Sequence, residues 1–156
     1  MGDISKRFSR KEFACPCGCG FDTVDVVLVN NLESLADDFL SKKQDSTDPA
    51  LNATKVIVHI NSGNRCRPYD RTVKMRIAKK KGIPYVHKRS KSQHLRSAVD
   101  FWMEYLYPGG KKVKIPDDDI ADELEIVYVA RNGIGRYNGR THYDIRLGGP
   151  ARWDKR

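Results

Sequence analysis

The sequence contains no long apolar run. None of its hydrophobic stretches approaches the roughly 20 residues that a membrane-spanning helix needs, and residues 1–7 (MGDISKR) lack the apolar core of a secretory signal. The first absence argues against an integral membrane protein. From the second we expect that the chain is made in the cytosol without a signal peptide.

Internal repeats, low-complexity tracts and a linker are also absent. The missing repeats exclude a solenoid, and the missing linker predicts a single domain over residues 1–156. A chain of 156 residues with 39% hydrophobic and 31% charged residues can bury an adequate core. We therefore expect one globular domain.

No helix-turn-helix or aromatic RNA-binding motif stands out, although the formal net charge is +9. The positive charge concentrates in three clusters: residues 79–81 (KKK), 88–91 (KRSK) and 111–114 (KKVK). Such a field favours an anionic polymer, and bacterial wall polymers and nucleic acids both qualify. Basic clusters of this size also occur on protein surfaces that simply face solvent. Without a nucleic-acid module, we do not expect nucleic acid to be the main partner.

Cysteine is scarce and unevenly placed. Three of the four cysteines lie at Cys15, Cys17 and Cys19, and the fourth is Cys66. This spacing differs from the two-residue spacing of a zinc knuckle. A structural metal, one or two disulfides, and free thiols all remain open, and the reduced form is the default in a cytosolic product.

Two of the four histidines, together with one aspartate, form a candidate metal site: His94, Asp100 and His142. A hydrolytic zinc site needs three nitrogen or carboxylate ligands and one open position, where the metal lowers the pKa of bound water to about 7. The alternative is chance proximity, because a histidine in a globular chain is often a satisfied polar residue.

Residues 92–100 (SQHLRSAVD) resemble the Ser-x-His-x-x-Gly-x-Ala-x-Asp signature of the zinc D-alanyl-D-alanine carboxypeptidases, a family that includes L-alanyl-D-glutamate endopeptidases. Further blocks agree in order: residues 13–20 (FACPCGCG), 61–66 (NSGNRC), and 133–137 (GIGRY) leading into 142–146 (HYDIR). The resemblance covers about Phe8 to Trp153, and the nearest branch is the compact phage type. It implies Zn²⁺ bound by His94, Asp100 and His142.

One departure concerns the loop between the first two ligands. Relatives place the aspartate seven positions after the first histidine, whereas Asp100 follows His94 by six, and Ser97 stands near the usual glycine. Because side chains alternate along a strand, a one-residue slip would turn Asp100 away from the metal unless the loop absorbs it. The alternatives are a shortened loop with an intact site, or a degenerate site.

The resemblance also implies roles for four other residues. Arg65 would face the substrate and stabilise its carboxylate or an oxyanion, with Arg67 as an alternative bearer. Ser92 and Gln93 would line the same cleft. Asp144 lies two residues after His142, which suits a catalytic base or a carboxylate that orients the ligand. A salt bridge from Asp144 to Arg146 or Arg136 is the structural alternative.

The pattern of elements is compatible with an α+β fold, a small mainly antiparallel sheet with helices on one face, and the family implies the D-Ala-D-Ala peptidase (hedgehog-like) version of it. The sequence predicts helices at 9–13, 25–41, 70–81 and 116–124 and strands at 56–60, 98–105, 125–130 and 141–147. A basic segment at about 71–91 is expected to be an insertion beside the cleft.

Together these features predict a zinc-dependent peptidase that cuts stem-peptide bonds of peptidoglycan, with anionic wall polymers as further partners. Such a protein would act on the wall after release from the cell, as a phage endolysin does, or as part of a virion. The alternative is a catalytically inactive wall-binding or virion structural protein of the same fold.

Overall fold

The computed structural model describes residues 2–87, 91–95 and 97–156. Residues 88–90 of the second basic cluster, and Arg96 after His94, lie outside the described residues. The elements, in chain order, are α1 (Arg10–Phe13), α2 (Val26–Ser41), β1 (Lys55–Ser62), α3 (Arg67–Lys80), β2 (Ala98–Leu106), β3 (Lys112–Lys114), α4 (Asp117–Val127), β4 (Gly133–Tyr137), β5 (Arg140–Asp144) and β6 (Ala151–Asp154). Single helical turns occur at Pro49–Leu51, Gln93–Leu95 and Pro108–Gly110.

The strands form one open sheet in the order β1-β2-β5-β4-β6, with β3 paired to the far end of β2. Every pairing is antiparallel except that of β4 with β6. The predicted α+β class is thereby confirmed. Among the described residues, no helix combines the length and the apolarity needed to cross a bilayer.

The two faces of the sheet have opposite character, because side chains alternate along a strand. On β2, Val99, Phe101 and Met103 point into the hydrophobic core. That core also contains the buried apolar residues of α2 and α4. Asp100 and Glu104 therefore point to the opposite face of the sheet from the one that α2 and α4 cover.

Helix α2 begins where its sequence predicts. The Asp25 side chain caps the helix by accepting a hydrogen bond from the Val27 backbone N–H at 2.9 Å. Its other oxygen accepts from Ser97 Oγ at 2.8 Å. The start of α2 is thus tied to the residue that leads into β2.

The strand predicted at 125–130 is wrong. Residues 125–127 are the last turn of α4, which ends where the Tyr128 backbone N–H bonds to the Leu124 carbonyl at 2.9 Å. The β-branched residues that suggested a strand are exposed: Ile126, Val127 and Val129. Burial of Ile120, Ala121 and Leu124 at helical spacing outweighs their strand propensity.

Other boundaries differ by less. Helix α3 begins three residues before the predicted 70, and α4 extends three residues beyond the predicted 124. Strand β5 ends at Asp144 instead of 147. The first part of the predicted insertion, 71–80, is helical and belongs to α3.

Glu33 on α2 holds the N-terminal segment and provides a stability test. Its carboxylate accepts from Ser5 Oγ at 2.6 Å, from the Arg7 backbone N–H at 2.7 Å and from the Arg7 guanidinium. Burial acts to raise the pKa of Glu33, but the bonds from Ser5 and Arg7 outweigh it and lower the pKa. Glu33 therefore stabilises the fold at pH values above its pKa in the unfolded chain. This contribution is lost as the pH falls through its pKa in the folded protein.

We expect Glu33→Gln to lower the free energy of unfolding by about 2 kcal/mol at neutral pH, measured by urea denaturation. The deficit should shrink once pH falls below about 4.3, the unfolded value for glutamate. Asp37→Asn is the matched control, because Asp37 pairs with the same arginine but its side chain is 57% exposed. Its cost should stay below about 1 kcal/mol. Equal deficits in the two variants would contradict this account.

Candidate metal centre

Three predicted ligands converge on the polar face of the sheet. His94 lies in the turn Gln93–Leu95, Asp100 on β2 and His142 on β5. The register of β2 and β5 pairs Asp100 directly with His142. All three side chains are buried, and one ligand atom from each lies within 4.8 Å of the others. This group can hold a metal ion.

The short spacing between His94 and Asp100 does not turn Asp100 away from the histidines. The single turn that carries His94 is followed by a bond from the Ser97 backbone N–H to the Gln93 carbonyl at 2.9 Å. The chain enters β2 only at Ala98. With this six-residue spacing, Asp100 faces His94 and His142.

A backbone carbonyl fixes the His94 ring. His94 Nδ1 lies 2.7 Å from the Gly63 carbonyl oxygen, which can only accept. Nδ1 therefore carries the proton that it donates to Gly63, which leaves Nε2 as the nitrogen that faces Asp100 and could bind a metal. Nε2 lies 3.6 Å from Asp100 Oδ1. This is the arrangement of a metal-binding histidine whose second nitrogen is held by a hydrogen bond.

His142 lies between two carboxylates. Its Nδ1 is 2.7 Å from Asp100 Oδ1, and its Nε2 is 3.1 Å from Asp144 Oδ2. Burial acts to lower the pKa of His142, but the hydrogen bonds to Asp100 and Asp144 raise it. With Nε2 donating to Asp144, Nδ1 is the nitrogen that can face a metal beside Asp100.

Asp144 is fully buried and is held on both oxygens. Arg146 donates from Nε to Oδ1 at 2.7 Å and from Nη2 to Oδ2 at 2.5 Å. Burial acts to raise the pKa of Asp144, but the bonds from Arg146 and His142 lower it. This geometry suits a carboxylate that orients His142. It also includes the salt bridge from Asp144 to Arg146, the structural alternative named from the sequence. The role of Asp144 as a catalytic base stays a prediction.

Asp100 is ionised and lies beside two arginines. Burial acts to raise its pKa, but the hydrogen bonds from His142 and His94 hold the pKa well below its usual range. Arg65 Nη2 lies 3.7 Å and Arg140 Nε 3.8 Å from Asp100 Oδ2. Arg65 also donates to Ser62 Oγ at 2.9 Å. The predicted electrophilic helper is thus next to the candidate ligand group.

Two glycines on β4 make room above the sheet. Gly133 is paired with Asp144 and Gly135 with His142. A Cβ on Gly133 would overlap the carboxylate of Asp144, and one on Gly135 would overlap the ring of Trp153. The absence of a side chain at Gly135 lets Trp153 lie 5.0 Å from the His142 ring, centre to centre.

A groove of about 1240 Å³ adjoins the group. It is lined by the predicted substrate-binding residues Arg65, Ser92 and Gln93. Its other lining residues are the charged or ionisable Arg67, Asp70, Arg71, Lys74, His87 and Lys91, and the uncharged Phe21, Cys66, Pro68, Tyr85 and Leu95. The ligand residues themselves are not part of its lining. Arg65 connects the two, since it lines the groove and lies near Asp100.

The structure also brings the four cysteines together. One Sγ from each of Cys15, Cys17, Cys19 and Cys66 lies within 4.8 Å of the others. The remaining histidines, His59 and His87, lie outside both groups. His59 stacks on Trp102 at 3.9 Å and bonds to Glu104 at 3.0 Å.

Three contributors to the site were missed by sequence reasoning. The Gly63 carbonyl has no side-chain signal, although Gly63 lies in the 61–66 block. Trp153 reaches His142 only because β6 pairs with β4, and β6 was not predicted. Arg140 precedes β5's ligand by two residues and could have been inferred from strand alternation.

Comparisons with protein-family models, with curated proteins and with solved structures found no match for this chain.

Proposed function

We propose that this chain is a zinc-dependent peptidase that hydrolyses stem-peptide bonds of peptidoglycan, as its resemblance to the D-alanyl-D-alanine carboxypeptidase and L-alanyl-D-glutamate endopeptidase family suggests. The observation that carries the proposal is the convergence of His94, Asp100 and His142 beside a cationic groove. The proposal includes action on the wall after release from the cell or as part of a phage particle.

The donor set fits zinc. Nitrogen and oxygen ligands at 2.0–2.2 Å from a tetrahedral ion lie about 3.3 Å apart. The separations from Asp100 Oδ1, 2.7 Å to His142 Nδ1 and 3.6 Å to His94 Nε2, lie on either side of that value. His94, Asp100 and His142 would hold zinc through three protein ligands, and zinc bound there would supply an activated water and polarise a carbonyl.

The surrounding residues have complementary tasks in this proposal. The Gly63 carbonyl and Asp144 hold the two imidazole rings through their second nitrogens. Arg65 presents a fixed guanidinium beside Asp100, where it can pair with a substrate carboxylate or with the oxyanion that forms during hydrolysis. Ser92 and Gln93 contribute to the wall of the groove.

The charge of the groove supports an anionic substrate. Among the residues that the structure describes, five that line the groove are arginine or lysine, and the one acid there, Asp70, pairs with Lys74 at 3.0 Å. Stem peptides carry free carboxylates, and the surrounding wall carries anionic polymers. A cationic groove concentrates such ligands near the site.

A wall-binding protein without catalysis is the second candidate, and one observation favours it. Asp144 is fully buried, and its oxygens are engaged by Arg146 and His142. A carboxylate held in this way, with no exposed surface, is poorly placed to act as a catalytic base. The groove would then bind wall fragments with no cleavage.

A chelation experiment separates the two candidates. Purified protein is stripped of metal, and turbidity loss of a wall suspension is followed before and after stoichiometric zinc is added. The peptidase proposal predicts loss of lysis on stripping and recovery with zinc. Sedimentation of the protein with walls, without lysis in either state, would favour the binding candidate.

Arg65→Lys tests the electrophilic role. We expect kcat/KM to fall by about a hundredfold, because an ammonium cannot reproduce the two-pronged geometry of a guanidinium. Zinc content should be unchanged. Arg71→Lys is the control, since Arg71 lines the same groove from α3. A similar loss in both variants would reduce the role of Arg65 to general groove charge.

A further inference from the structure

The four cysteine thiols are arranged like ligands around one centre. Cys17 Sγ lies 3.4 Å from Cys15 Sγ and 3.5 Å from Cys66 Sγ, and all four sulfurs lie within 4.8 Å of one another. Four sulfurs bound tetrahedrally at 2.3 Å from zinc would be about 3.8 Å apart. The observed separations are close to that value.

Local backbone structure brings the sulfurs together. The turn that carries Cys15, Cys17 and Cys19 closes through the bond from the Cys15 backbone N–H to the Phe21 carbonyl at 2.8 Å. Gly18 and Gly20 adopt φ values of 76° and 77°, which other residues rarely reach, so the chain curls tightly there. Cys66 comes from a distant segment, as the residue that precedes α3.

We propose that Cys15, Cys17, Cys19 and Cys66 bind one zinc ion as four thiolates, in a structural site separate from the His94 group. Each Sγ–H gives its proton to solvent as the Sγ–zinc bond forms, and no sulfur is oxidised. The zinc ion together with its four thiolates carries a net charge of −2. Four thiolate ligands leave no open position, which is the property of a structural zinc site.

The arrangement does not match disulfides. A disulfide needs an S–S distance of about 2.05 Å, and here Cys17 is about equally distant from two partners. A bond between Cys15 and Cys17 would close a very small ring. Sharing one ion satisfies all four sulfurs without choosing pairs.

Backbone groups around Cys15 and Cys66 stabilise negative charge, whereas side-chain hydrogen bonds with Cys19 and Cys15 raise the pKa of the metal-free Cys17 to about 12. The Cys66 backbone N–H donates to Cys15 Sγ at 3.3 Å. Cys66 also lies at the N-terminus of α3, a 14-residue helix whose dipole stabilises negative charge there.

The site would hold the segment that supports His94. The Asn64 backbone N–H bonds to the Phe13 carbonyl at 2.8 Å, so the segments are already adjacent. Gly63 accepts from His94, and the Arg65 backbone N–H donates to the His94 carbonyl at 2.8 Å. A zinc ion that joins Cys66 to residues 15–19 would hold the segment 63–66 in place, and with it the two hydrogen bonds that this segment makes to His94.

The decisive sample is the full chain with His94→Ala and His142→Ala combined, which removes the other metal group. Purified under reducing conditions, it should keep about one zinc per chain. Replacing that zinc with cobalt should give the intense near-ultraviolet sulfur-to-cobalt charge-transfer band of a tetrahedral thiolate site. Absence of bound metal, with four thiols that react freely or with two disulfides, would overturn the proposal. Because this variant lacks both histidines of the His94 group, the result does not depend on whether that group binds zinc.

Cys17→Ser with Cys19→Ser tests the ligands at exposed positions, where misfolding is least expected. The charge-transfer band should disappear, zinc should bind roughly a hundredfold or more weakly, and Tm should fall. Pro16→Ser is the matched control, because it alters the same turn and keeps every thiol. An unchanged band in the double-serine variant, or an equal loss in the proline variant, would contradict the assignment.

Discussion

Asp100→Asn should lower hydrolysis of wall peptides by about a thousandfold or more, with loss of zinc from the His94 group. The reason is electrostatic. Asp100 is the one anionic ligand among the three, and its Oδ1 faces both histidines. Asparagine keeps the size of the side chain and removes the charge. Zinc affinity is measured in metal buffers, and hydrolysis is followed on purified walls.

Glu104→Gln is the control for that experiment. Glu104 lies on the same strand and face as Asp100, it is also buried, and it also bonds to a histidine, His59. Its second partner is Lys112 at 2.8 Å. Zinc binding and hydrolysis should stay within about twofold, since Glu104 lies outside the ligand group. Normal zinc and hydrolysis in Asp100→Asn would exclude Asp100 as a ligand.

Asp144→Asn should lower the free energy of unfolding by about 3 kcal/mol, because Arg146 loses its partner in a buried pair. The same change should weaken zinc binding by about ten- to a hundredfold, since His142 loses the carboxylate that orients its ring. At saturating zinc, hydrolysis should recover to within about tenfold of the unmodified protein. Unfolding is measured by denaturant titration of the metal-free protein.

Asp154→Asn is its matched control. Asp154 and Arg156 repeat the spacing of Asp144 and Arg146, but their side chains are 50% and 38% exposed. The loss of stability there should be much smaller, because solvent screens an exposed ion pair. Asp144→Asn could instead keep normal zinc affinity while its turnover at saturating zinc stays about a hundredfold or more below that of the unmodified protein. That result would identify Asp144 as a catalytic base.

Elements with strong periodic patterns could be predicted from the sequence. The apolar spacing of α2 and its Asp25 cap define that helix, and the apolar alternation on β2 defines the strand that carries Asp100. Both were placed within a residue or two. Exposed short strands carry no such signal: β3 is fully exposed and β6 half-exposed, so their pairing depends on neighbours far along the chain.

The candidate ligands were selected by residue type and by resemblance, and their convergence depends on the register of β2 with β5. That register follows from burying Val99 and Phe101, which forces Asp100 to the other face. The hydrogen bond from His94 to Gly63 and the contact of Trp153 with His142 could not be predicted. Each depends on tertiary placement of segments whose sequences do not encode a local structure.

The cysteine cluster illustrates the same limit. Spacing alone left metal, disulfides and free thiols open, because Cys66 lies 47 residues after Cys19. The tight turn at residues 15–21 and the start of α3 bring these thiols to one point. That convergence is a property of the fold.

Mass spectrometry of wall digests in heavy-oxygen water tests the central claim most directly. Purified peptidoglycan is incubated with the zinc-loaded protein, with the stripped protein and with Asp100→Asn. The account predicts new stem-peptide fragments, each with one heavy oxygen in its new carboxylate, from the zinc-loaded protein alone. Zinc-loaded protein that binds peptidoglycan yet releases no labelled fragment would contradict it.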